Sequence, residues 1–153
     1  MHRHPTPLLL TALLAGGVLL VTAATAIGAG NSITLNLKGG RSQQKTACGA
    51  LHHYAAYRKG SRLRMDGFVS PAPALPDGTW RVKIKIKQCK SGRFVTISQT
   101  HVKGNGVLLN GAKVGHFRMT YRLRRKGYFF ARAYYYGYQP RIISQDQHFR
   151  VTR

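Results

Sequence analysis

From Trp80 to Lys87 apolar and basic residues alternate without a break. Val82, Ile84 and Ile86 fall on one parity and Lys83, Lys85 and Lys87 on the other, so the segment reads as a strand with one face in a core and one in water. It is entered through Pro76-Asp77-Gly78, a run with turn chemistry. Phe117, Met119, Tyr121 and Leu123 alternate with Arg118, Thr120 and Arg122, and Phe149 and Val151 alternate with His148 and Arg150. Tyr128 to Tyr136 is apolar or aromatic on nearly every position, as a central strand covered on both faces would be. Weaker strand signals lie at Leu51 to Tyr57, Arg62 to Val69 and Phe94 to Val102, with turns expected at Lys59-Gly60, Ser91-Gly92 and Gly104-Asn105-Gly106. About seven short strands at this spacing predict an all-β, antiparallel sandwich. Helical periodicity is absent after the N-terminal region, and only Ala47 to Ala56 leaves room for a helical turn.

The first residues carry a different signal. Met1-His2-Arg3-His4 holds one fixed positive charge, Leu8 to Val21 is uncharged, and Ala24-Thr25-Ala26 supplies small side chains. That order matches a signal peptide over residues 1–26, cleaved near Ile27, and implies export. The alternative is an uncleaved anchor, because the uncharged run continues from Pro5 to Leu37 and about twenty residues span a bilayer. Residues 27–50 read as an N-terminal strand or tail, with alternating Ile33, Leu35 and Leu37, followed by a flexible connector at Gly39-Gly40-Arg41-Ser42-Gln43-Gln44. Residues 51–153 form the expected sandwich domain.

Twenty-five lysines and arginines face three acids, Asp66, Asp77 and Asp146, giving a formal net charge of +22. Such an imbalance attracts polyanions at the expense of self-repulsion in the folded state. Outside a cell the matching partners are anionic wall polymers, acidic polysaccharides, membrane headgroups or free nucleic acid. Cys48 and Cys89 are an even pair in an oxidising compartment and predict one disulfide. Cys89 continues the lysine parity of its strand, so the bridge is expected outside the core or at a strand end.

The succession Gly60-Ser61-Arg62-Leu63, Gly67-Phe68-Val69-Ser70-Pro71, Gly78-Thr79-Trp80-Arg81-Val82, Gly92-Arg93-Phe94, Gly115-His116-Phe117 and Gly127-Tyr128-Phe129-Phe130-Ala131-Arg132-Ala133 resembles the immunoglobulin-like or fibronectin-III-like domain of exported actinobacterial proteins. The resemblance covers Leu51 to Arg153. It implies an immunoglobulin-like β-sandwich and a binding or structural role, with no catalytic residues to carry over. Cys48 and Cys89 depart from the usual inter-sheet pairing of that fold.

Chemistry finds few footholds in this composition. Asp66-Gly67 and Pro76-Asp77-Gly78 read as turns, whereas paired acid and base work needs two carboxylates in one cleft. Neither a nucleophile elbow nor a glycine-rich phosphate loop is present. Adjacent His52 and His53 would point to opposite faces of a strand, and read as surface histidines rather than metal ligands. No enzyme, metal or cofactor is therefore expected.

By the resemblance, Phe129, Ala131 and Ala133 point inward and Tyr128, Phe130, Arg132 and Tyr134 outward. With the Trp80–Lys87, Tyr128–Tyr136 and His148–Val151 strands side by side, Lys83, Lys85, Lys87, Arg132, Arg150 and His148 would surround exposed Phe130 and Tyr134. Basic groups attract phosphates or carboxylates and aromatic faces stack on sugars or bases, so this face is the candidate polyanion site. The expected function is an exported, non-enzymatic binding module for wall polymers, acidic polysaccharides or extracellular nucleic acid, meeting membranes only through an uncleaved signal segment. A secreted cationic effector acting on membranes is the alternative, and a secreted enzyme without a recognisable motif the third reading.

Overall fold

A computed structural model describes residues 30–153, which are all β apart from turns and loops. The signal-peptide reading of residues 1–26 lies outside the described residues. Among those described there are eleven strands, where the sequence predicts about seven: β1 (Ser32–Ile33), β2 (Asn36–Lys38), β3 (Arg41–Ala47), β4 (Ala50–Arg58), β5 (Arg62–Ser70), β6 (Arg81–Lys90), β7 (Arg93–Leu109), β8 (Ala112–Arg122), β9 (Gly127–Tyr135), β10 (Ile142–Ile143) and β11 (Gln147–Thr152). They hydrogen-bond in the order β1-β5-β8-β7-β6-β9-β11-β4-β3, with β2 also on β5 and β10 on β9.

The long β7 joins two halves of this array. Its first part pairs with β6 and its second with β8. Leu63, Met65, Val69 and Phe117 from one half meet Val82, Ile84, Ile86, Ala131, Ala133 and Phe149 from the other in a single hydrophobic cluster. The halves therefore share one core, and their remaining faces look outward. Burying this apolar area is the main force holding the two halves together.

Four expectations are corrected. The array is mixed rather than purely antiparallel, because β11 lies antiparallel to β9 and parallel to β4. The stretch expected to be a flexible connector runs into β3, which pairs with β4 along its whole length. Six of its seven residues are exposed, so no alternation marks it; its polar side chains suit a sheet edge. Gly104-Asn105-Gly106 is no turn but strand interior, and the hairpin turns at Asn110-Gly111 instead. Asp66-Gly67 is likewise inside β5.

Three tight hairpins set the registers. Cys48-Gly49, Ser91-Gly92 and Asn110-Gly111 each place two successive residues at positive φ, at 52° and 82°, 48° and 78°, and 49° and 78°. That geometry fits the right-handed twist of the strands it joins. The Cys48–Cys89 disulfide is formed, with the two Cα atoms 5.7 Å apart.

Candidate functional site

In the array, β9 lies between β6 and β11. Its register sets Tyr134 beside Lys83, Arg132 beside Lys85, Phe130 between Lys87 and His148, and Tyr128 beside Arg150. All seven residues predicted for the site thus fall on one outer face, opposite the parity of Phe129, Ala131 and Ala133 in the core. Each of the five predicted cations sits over a ring: Lys83 over Tyr136 at 4.9 Å, Lys85 over Tyr134 at 5.1 Å, Lys87 and Arg132 over Phe130 at 5.5 and 5.4 Å, and Arg150 over Tyr128 at 5.3 Å.

This seating overturns the expected exposure of the aromatics. Phe130 is 5% exposed and Tyr134 7%. Lysine and arginine stems cover apolar surface while their charged heads stay wet, and each ring contributes about 0.5–1 kcal/mol to holding its cation. Phe130 is further flanked by Phe94 at 4.8 Å and His148 at 5.6 Å between ring centroids. The rings act as seats for the charges and offer little surface to a ligand. Tyr136 continues the parity of Phe130 and Tyr134 and could have been found from it; Phe94 reaches the face from β7, and nothing near it in the chain announces that.

Arg132 differs from its neighbours. Its Nε donates to Asp146 Oδ1 and its Nη2 to Asp146 Oδ2 at 2.7 Å, a bidentate pair that raises the guanidinium pKa above its ordinary value. The pair also offsets the repulsion between Arg132 and Lys85, which are cross-strand partners. Arg132 is therefore already charge-compensated, and Lys83, Lys85, Lys87 and Arg150 are the ring-seated cations of this face without such a carboxylate partner. The other acids are engaged elsewhere: Asp77 Oδ1 accepts from Gly106 N–H at 2.6 Å, and Asp66 lies 3.2 Å from Lys38 Nζ.

One end of the face lies under the β3–β4 hairpin. β4 pairs with β11 only from Ala55 onward, and β9 and β11 separate it from β6. With strands about 4.8 Å apart, Cys48 reaches Cys89 only because the hairpin tip bends across the outer face. Tyr54 there meets Tyr128 at 5.1 Å, and His52 stacks on His148 at 3.9 Å. His52 is half-buried in this stack rather than a free surface histidine. Among the described residues, no three His, Cys, Asp or Glu side chains come together in metal-binding geometry.

Burial lowers the His148 pKa below the ordinary 6.5, helped by His52 and Arg132 and opposed by Asp146. Its Nδ1 is buried without a hydrogen-bond partner. The unfolded chain then binds a proton at higher pH than the folded one, so stability rises with pH across this window and is lost as pH falls below about 6.5. Thermal melts at about pH 7.5 and about pH 5 should show a smaller acid-induced drop for His148→Phe than for wild type. An equal drop in both would remove His148 from the account.

Sequence comparison finds no matching family model and no matching curated protein. The face has to be read from its own chemistry.

Proposed function

We propose that the chain is an exported, non-enzymatic binding module of the immunoglobulin-like sandwich type that holds anionic polymers, wall polyanions or acidic polysaccharides, on its β6–β9–β11 face. The observation carrying this reading is the row of ring-seated cations, Lys83, Lys85, Lys87 and Arg150, accompanied by one carboxylate that Arg132 already occupies. Residues two apart on a strand repeat every ~7 Å, so the lysines form a spaced array of charges whose stems are already ordered. Ordering them beforehand lowers the entropy cost of meeting a polymer. Export is supported by the N-terminal charge and apolar pattern, and the sandwich reading by two outward faces around one core.

Charge placement and total charge are separable. Reversing Lys83, Lys85 and Lys87 to glutamate should weaken binding to a phosphate polymer far more than reversing Arg124, Arg125 and Lys126, three loop residues of equal charge between β8 and β9. The slope of log affinity against log salt should fall by about one per lost contact in the first variant. Equal losses in both would leave only diffuse attraction.

A membrane-acting effector is the second reading, and one observation favours it. The β7–β8 tip carries Leu108, 78% exposed, and Leu109, 38% exposed, on either side of which the chain is basic at Lys103 and Lys113. If the tip enters anionic bilayers, Leu108→Asp should weaken vesicle partition about tenfold or more, given about 1.5–3 kcal/mol for burying a leucine. Unchanged partition would dismiss this reading.

A further inference from the structure

The outward face of the other half is basic in a different way. On β5 and β8, Arg62 stands opposite Arg122, and Arg118 opposite Asp66; on β2, Lys38 stands opposite Arg64. Two like-charged cross-strand pairs therefore sit on one face, an arrangement that destabilises a sheet unless something compensates it. The one carboxylate among them, Asp66, is taken by Lys38 at 3.2 Å. All four arginines are exposed, and none is seated over an aromatic ring among the described residues. Lys38, Arg64, Asp66 and Arg118 line an open groove of about 530 Å³.

We propose that this arginine groove is a second polymer-binding face, selective for phosphate groups, and that the protein bridges two phosphate-bearing polymer chains. Guanidinium forks bind phosphate oxygens in pairs; Arg64 and Arg118 line the groove itself, and an anion reaching past its end between the opposed Arg62 and Arg122 removes a repulsion that no carboxylate there offsets. The inner sides of β5 and β8 supply Leu63, Met65 and Phe117 to the core shared with β6 and β9. The arginine groove and the lysine row consequently look in opposite directions, about two packed sheets apart, so one short segment cannot fill both. The bridging step rests on the β6–β9–β11 reading above; the groove itself does not.

A two-step capture assay tests it. Full-length mature protein is loaded onto immobilised poly(glycerol phosphate), washed, and offered the same polymer in fluorescent form; a parallel arm uses oligothymidylate, which carries phosphodiesters on a nucleoside backbone. Wild type should capture the second chain in at least one arm, and that arm names the source of the phosphate. Replacing Arg62, Arg64, Arg118 and Arg122 by glutamine should leave first-chain loading within about threefold of wild type but cut second-chain capture about tenfold or more. Replacing Lys83, Lys85, Lys87 and Arg150 by glutamine should weaken first-chain loading as well as second-chain capture, and replacing Lys59, Arg124, Arg125 and Lys126 should do neither. The arginine variant should also melt no lower than wild type, since its changes relieve repulsion, which keeps misfolding from imitating the result. Undiminished capture by the arginine variant, or equal loss in the loop control, overturns the proposal. If instead the lysine variant loads and captures like wild type while the arginine variant fails to load at all, the lysine-face reading falls, and bridging with it.

Discussion

Replacing Cys48 and Cys89 together by alanine should lower stability by about 4 kcal/mol and the melting temperature by roughly 15 °C. The bridge closes a loop of sequence separation 41, and tethering two points that far apart removes entropy from the unfolded chain. It also holds the β3–β4 tip against the outer face, so its loss should be felt locally first. His52, Tyr54, Phe94 and His148 pack together under that tip. Amide exchange in the variant should therefore rise at residues 48–54 under conditions where β6 and β9 stay protected. Uniform protection with an unchanged melting point would show that the hairpin is held by its side chains alone.

Legibility in the sequence follows how local each cause is. Strands with one wet and one dry face announce themselves, and the Trp80–Lys87 alternation reappears as β6 with Val82, Ile84 and Ile86 buried. β3 has two wet faces, so it carries no period to read. The parallel pairing of β4 with β11 joins residues almost a hundred positions apart, and no local pattern encodes it. At the candidate site, parity puts Phe130 and Tyr134 on the outer face but cannot say what lies on top of them. The covering comes from lysine stems on β6 and a phenylalanine on β7, neighbours decided by strand order. Asp146 is similar: its loop position looks unremarkable until β9 places Arg132 within reach.

Gly104→Ala should cost about 3 kcal/mol or more, at or above the upper end of what overpacking a core usually costs. In sequence, Gly104 reads as a turn residue, but its lack of a side chain serves a ring twenty-four positions earlier. A Cβ there would fall among the Cη2, Cζ3 and Cζ2 atoms of Trp80, and one at Gly115 would lie 2.7 Å from Cη2 of the same ring. Trp80 is buried across the inner face of these two paired strands and meets the ring of Tyr135 edge to face at 5.9 Å between centroids. The backbone cannot retreat to make room, because Gly104 N–H donates to the Trp80 carbonyl at 3.2 Å and its own carbonyl accepts from Gly78 N–H at 2.8 Å. The ring must move instead, and in a close-packed interior it has nowhere unstrained to go. Trp80 is the only tryptophan in the chain, so its fluorescence reports the displacement directly. Gly104→Ala should shift emission to the red and lower the melting point steeply, while Asn105→Ala, at the exposed neighbouring position, should do neither. Trp80→Leu should be costly alone, yet combining it with Gly104→Ala should cost well under the sum of the two, since the smaller side chain no longer occupies the space the new Cβ needs. Strict additivity with unshifted emission would mean that the ring does not rest on this backbone.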